Sequence, residues 1–187
     1  MNVNAREAIL EAARKAAQSH GYGGLNFRDL AEQVGVKSAS VHYHFPTKAD
    51  LGAAVARRYW EDTAQVLETL LTDSPEPARA LHAYPGIFRM SLEHDNRLCL
   101  CSFMAAEFDD LPESVKTEVR AFADVNVAWL EKVLEAAGVG EAVSAGPRAK
   151  AIFAAIAGAQ LMARSRSDIA FFDDLLATYR ASGLLPA

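Results

Sequence analysis

Apolar residues recur three and four positions apart along nearly the whole chain, and period-two alternation of Val, Ile and Thr is absent. That spacing gathers apolar groups onto one stripe of an α-helix and leaves no segment shaped as a half-buried strand. The fold class expected is all-α. A chain of 187 residues that is 51% hydrophobic and 23% charged buries a sizeable core. Eleven Gly and seven Pro are too few for a disordered or collagen-like chain.

The punctuation divides this pattern into about nine helices. The first is expected over 4–20, with Ile9, Ala12, Ala13, Ala16 and Ala17 inward, and is stopped by Gly21, Gly23 and Gly24. Asn26 is a good N-cap for a short helix over 27–34, with Asp29 in its first turn and Gly35 at its end. A second short helix over 38–45 stops at Pro46, and Thr47 caps a long helix from Lys48 to about Leu71. A loop is expected over 73–77. Pro85-Gly86 should kink or split the helix expected over 78–93. Further helices are expected over 97–109, 111–137, 147–167 and 169–182, with a loop over 138–146.

No stretch is long and apolar enough for a membrane span, since Lys150 and Arg164 bracket the uncharged run 151–163. The first residues, MNVNAREAIL, lack the basic and apolar blocks of a signal peptide. Cys99 and Cys101 stand too close in sequence for an unstrained structural disulfide. The expectation is a reduced, cytoplasmic chain without membrane contact.

Charge is unevenly placed. Residues 1–58 carry eight Lys/Arg and five acids, net +3, whereas the remainder carries eleven and nineteen, net −8. A net charge of −5 therefore leaves room for a nucleic-acid partner at the basic end.

The two short helices over 27–45, joined by Gly35-Val36-Lys37, have the length and turn chemistry of a helix-turn-helix. In the second, Val41 and Phe45 can pack inward, while the other side offers hydroxyls, imidazoles and the Tyr43 phenol. Small hydrogen-bonding residues at a helix start let backbone and side chains approach base edges and phosphates. On the residues alone the alternative is a helical hairpin with a solvated polar face.

The stretch GYGGLNFRDLAEQVGVKSASVHYHFPTKADL resembles the N-terminal domain of the TetR family of transcriptional regulators. The likeness rests on Gly21-Tyr22, Asp29-Leu30-Ala31, Gly35-Val36, Ser40, Tyr43, His44-Phe45, Lys48 and Leu51, and covers about the first quarter of the chain. It implies a DNA-binding domain over 1–47 and a helical effector-binding and dimerisation domain over 48–187. It also implies a homodimer that binds a palindromic operator in double-stranded DNA, usually as a repressor, and is released by a small organic effector. The recognition helix would be 38–44, with Arg28, Lys37, Ser38, Ala39, Ser40, His42, Tyr43 and His44 on the DNA side and Lys48 on phosphate. Two residues depart from the family pattern: His42 stands where many members have Tyr, and Lys37 stands where a small helix cap is frequent, so that capping would pass to Ser38.

The helix 147–167 is apolar nearly all round, and the helix 169–182 adds Ile169, Phe171, Phe172, Leu175, Leu176 and Tyr179. Such helices are covered on more than one side. They either cap the monomer core or pair with their symmetry mates as a four-helix bundle, and the resemblance favours the bundle. Between the two ends lie more large apolar groups than a small core needs. From these an effector pocket is expected to draw Trp60, Tyr84, Phe88, Cys99, Phe103, Met104, Asn126, Trp129 and Met162. Effector binding would tilt the long helix 48–71 and respace the recognition helices.

The segment Arg97-Leu98-Cys99-Leu100-Cys101, with Ala105-Ala106-Glu107 and Leu111-Pro112, is similar to the branch of the family that includes the N-ethylmaleimide-reductase repressor. That likeness implies Cys99 as a possible sensor of electrophiles or oxidants. The alternatives are two small buried hydrophobes, or a metal site with His94. No cofactor and no metal are expected. A thiol enzyme using Cys99 with His94 or Glu107 competes with the regulator, but no Gly-rich phosphate loop, HExxH or G-x-S-x-G is present. A helical interaction protein without DNA function is the third reading.

Overall fold

A computed structural model of the protein describes residues 3–74, 76–138 and 144–186. Among these the secondary structure is helical throughout. The α-helices are α1 (Val3–His20), α2 (Phe27–Val34), α3 (Ser38–His44), α4 (Lys48–Asp73), α5 (Pro77–Ala83), α6 (Gly86–Glu93), α7 (Leu100–Ala106), α8 (Glu113–Ala136), α9 (Ala145–Arg166) and α10 (Ile169–Ala181). Short 3-10 turns lie at Tyr22–Gly24 and Phe108–Asp110. The all-α expectation of about nine helices holds, with α5 and α6 as the two halves of one expected helix split at Pro85.

Local chemistry sets most boundaries. Asn26 Oδ1 accepts from the amides of Arg28 (2.9 Å) and Asp29 (3.4 Å), satisfying two donors at the start of α2. Gly35 closes α2 in the left-handed region, at φ 74° and ψ 31°, and its amide donates to Ala31 and Glu32 carbonyls. Thr47 and Asp50 form a reciprocal cap on α4: the Asp50 amide donates to Thr47 Oγ1 (3.1 Å) and the Thr47 amide to Asp50 Oδ2 (3.0 Å).

Three boundaries differ from expectation. α7 is shorter than 97–109, because Asp95 and Asn96 turn left-handed at φ 60° and 52° and Cys99 is non-helical at ψ 129°. α9 begins at Ala145, ahead of Pro147, because a proline in the first turn lacks only an amide that has no partner there. Lys37 rather than Ser38 is the N-cap of α3, and its side chain makes no capping bond. Of the loop expected over 138–146, residues 139–143 lie outside the described residues, as does Pro75 of the loop expected over 73–77.

The chain packs as two compact units. The first comprises Met1–Glu61 and Cys99–Phe122. Its core holds Ile9, Ala13, Ala17, Leu30, Val41, Leu51 and Val55, each at most 2% exposed. α1 packs on α2, α3 and α7. Glu118 anchors α8 to α4: Arg57 donates to its Oε1 through Nε (3.1 Å) and Nη2 (2.5 Å), and Trp60 Nε1 donates to its Oε2 (2.8 Å).

The second unit comprises Asp62–Leu98 and Ala123–Ala187. Its core is built on Tyr84, Phe88, Leu130, Leu134, Ile152 and Phe172, all under 3% exposed. Tyr84 stacks on Trp129 with ring centres 5.5 Å apart. Gln160, fully buried on α9, donates to the Phe88 carbonyl at 2.7 Å. Arg89 of α6 meets Asp173 of α10 through two parallel bonds of 2.9 and 3.0 Å.

Candidate nucleic-acid interface

α3 is fixed by its apolar side and presents its polar side to solvent. Val41 is 0% exposed and Phe45, just past the helix end, 2%. Tyr43 between them is 64% exposed. Ser38, Ala39 and His42 are exposed as well, and Ser40 and His44 are half-buried. The His42 ring packs against Phe27 at the start of α2, with centres 4.6 Å apart. The Tyr43 and His44 rings meet edge to face at 5.2 Å.

Cations surround this surface. Arg28 in the first turn of α2 and Lys37 at the N-cap of α3 are exposed. Lys48, at the first position of α4, is engaged within the protein. Its Nζ lies 4.7 Å from the centre of the Tyr22 ring and donates to the Gly23 carbonyl at 3.2 Å. The predicted recognition residues 37–44 thus lie together around one short helix, with Lys48 fixed on the turn after α1.

Residues 9–55 match the profile of the bacterial regulatory proteins of the TetR family. A TetR transcriptional regulator from Legionella pneumophila, solved by crystallography, is 31% identical, over 97% of this chain and 99% of that one, with a TM-score of 0.89. The chain belongs to the TetR family. The transcriptional repressor AcnR of Corynebacterium efficiens is 41% identical over 68 residues, so the chain matches about a third (35%) of that relative's length. E. coli NemR in its reduced form is 22% identical with a TM-score of 0.83 over 95% of this chain and 96% of that one, a likeness of fold.

The residues expected to line an effector pocket fall in both units. Trp60, Cys99, Phe103 and Met104 belong to the first unit. Trp60 is held by Glu118, and Cys99 and Met104 are buried. Tyr84, Phe88, Asn126, Trp129 and Met162 belong to the second. There Tyr84, Phe88 and Trp129 form one aromatic cluster, and the Tyr84 hydroxyl donates to Asn126 Oδ1 at 2.9 Å. The Trp129 indole nitrogen is buried without a hydrogen-bond partner. A cavity of about 270 Å³ is lined by Ala64, Leu67, Glu68, Val125, Ala128, Trp129 and Lys132. Met162 stands apart from the cluster, 43% exposed on α9.

Cys99 and Cys101 are 2% and 1% exposed. Burial pushes the Cys99 thiol up, partly offset by hydrogen bonds from Ser102 and Tyr59. Burial pushes Cys101 well up, and the neighbouring Cys99 and Glu118 add to it. Both effects disfavour the reactive thiolate. Among the described residues no three His, Cys, Asp or Glu side chains are grouped to hold a metal ion. None of the described helices is long and apolar enough to cross a membrane.

Tyr22, part of the family likeness, and Glu107, a candidate base, touch one another. The Tyr22 amide donates to Glu107 Oε2 at 2.7 Å across 85 positions. No local signal marks a contact of that separation.

Proposed function

We propose that this TetR-family chain is a repressor that binds a palindromic DNA operator as a homodimer and is released by a small organic effector. The observation that carries the reading is the outward face of α3: Tyr43 is 64% exposed while Val41 and Phe45 on either side are sealed in the core. A rigid anchor beneath a wet polar face is what a helix entering a major groove requires. Residues 1–47 serve as the DNA-binding domain and 48–187 as the effector and dimerisation domain.

The homodimer is supported by α9. Ile152, Ile156, Ala159 and Ala163 are buried, yet Ala151, Ala154, Gly158, Leu161 and Met162 on the other side are exposed. Leu161 is 54% exposed, and small residues beside it allow a second helix to approach closely. Pairing two recognition helices raises affinity by ~10²–10⁴ over one, since the second contact becomes intramolecular. The effector is bound in the second unit, at the cavity of about 270 Å³ that reaches Trp129 of the aromatic cluster. It acts through α4, which carries residues of both units, so effector and operator oppose each other reciprocally.

Switching by modification of Cys99 is the alternative. The burial of both thiols favours a non-covalent effector over it.

Selection of genomic fragments by the purified protein tests the whole reading. The expected result is one enriched inverted repeat, bound more weakly as salt rises and lost in Tyr43→Ala. Retention of no fragment by a folded protein would overturn it.

A further inference from the structure

Lys48 is the residue read as a phosphate contact, and the DNA-free protein holds it in a set place. Its Nζ rests over the Tyr22 ring at 4.7 Å and on the Gly23 carbonyl at 3.2 Å. The direction of the Lys48 arm therefore depends on where the turn 21–24 stands. That turn is gripped from two sides. Gly52 of α4 lies so close to the Tyr22 ring that a methyl there would come within 2.7 Å of its Cε2. From the other side comes Glu107, which follows α7 and whose carboxylate accepts the Tyr22 amide at 2.7 Å. The same carboxylate fills the space a Cβ on Gly21 would occupy. Gly21 itself has φ 66° and ψ −161°, a conformation confined to glycine.

A charged acceptor on a backbone amide is among the stronger single hydrogen bonds. Here it ties residues 85 positions apart within the first unit. We infer that Glu107 is a positioning residue for operator binding: it fixes the Gly21-Tyr22 turn, and through the Tyr22 ring it aims Lys48 at the DNA backbone. Glu107 touches no DNA in this role, and as an anion near a phosphate surface it would by charge alone weaken binding. Positioning and charge therefore predict opposite results. The inference rests on the reading of this chain as a DNA-binding regulator with Lys48 on phosphate.

The test uses full-length protein and the duplex most enriched from genomic fragments by the wild type. Glu107→Gln keeps an acceptor for the Tyr22 amide and drops the charge. Glu107→Asp keeps the charge and withdraws the acceptor by one methylene. Under positioning, Glu107→Asp binds roughly three- to tenfold more weakly, with a slope of log affinity against log salt shallower by about one per half-site, and Glu107→Gln stays near wild type. In a Lys48→Ala background Glu107→Asp has no further effect, because the two act through one contact. A role only in fold stability would lower the active fraction and leave the salt slope unchanged. That result overturns the inference, as does tighter binding by Glu107→Gln with Glu107→Asp unchanged. If the wild type enriches no duplex, the DNA-binding reading itself fails. If Lys48→Ala flattens the slope and Glu107→Asp does not, only the role of Glu107 fails.

Discussion

The Tyr84 hydroxyl donates to the Asn126 carboxamide oxygen at 2.9 Å, and neither residue exposes any surface. A polar pair in such a place must keep its bonds, because each group has given up water. Tyr84→Phe removes the donor and leaves the Asn126 oxygen without the phenol in an apolar setting. The expected loss of stability is about 1–3 kcal/mol, read as a lower urea midpoint at unchanged slope. A midpoint equal to wild type would show the pair to be energetically idle.

Gly21→Ala should be far more costly than its size suggests. The backbone there lies at φ 66° and ψ −161°, and the new methyl would overlap the Glu107 carboxylate. We expect at least about 2 kcal/mol of destabilisation from the strained conformation and displaced contact together. Gly35→Ala is the control. Its left-handed φ of 74° carries a milder penalty, and nothing lies within 4 Å of the new Cβ, so about 1 kcal/mol is expected. Equal unfolding midpoints for the two variants would contradict this.

Glu118 should shape the acid limb of stability. Burial raises its pKa, but the hydrogen bonds from Arg57 and Trp60 outweigh that, and the carboxyl sits below its ordinary value. A carboxyl depressed in the folded state binds fewer protons there than in the unfolded chain at mildly acidic pH. Its contribution is then present above the ordinary glutamate pKa of about 4.3 and is lost as pH falls through the lower folded value. In Glu118→Gln, stability measured against pH should fall less steeply through that acid window. An identical acid limb in variant and wild type would remove Glu118 as a cause.

Cys99 and Cys101 should resist alkylation in the folded protein. Both are buried, and burial raises both thiols. Labelling by N-ethylmaleimide at neutral pH should be at least ~10²-fold slower than in guanidinium, because it awaits local opening. Rapid stoichiometric labelling that also releases operator DNA would instead favour the thiol switch.

Leu161→Glu should break the proposed dimer. The residue is 54% exposed on the apolar side of α9, and a carboxylate there would be buried between two copies. Sedimentation should show monomers, with operator affinity lower by ~10² or more. A dimer of unchanged strength would move the interface elsewhere on the surface.

The sequence by itself determined what is local. Asn26, Gly35, Thr47 and Pro85 set helix ends through hydrogen bonds or dihedral limits that act within a few residues, and each boundary stands where that chemistry puts it. The outward side of α3 was equally legible, since Val41 and Phe45 stand four apart and leave Tyr43 facing away. Only tertiary structure decided which distant groups meet. Glu107 finds the Tyr22 amide and Glu118 finds Arg57 and Trp60 across 85, 61 and 58 positions. Periodicity specifies the face of a helix but not the neighbour it meets. For the same reason the sequence left the exposure of Cys99 open: solvent access depends on which distant groups pack over the thiol, and the packing of the first unit buries both cysteines.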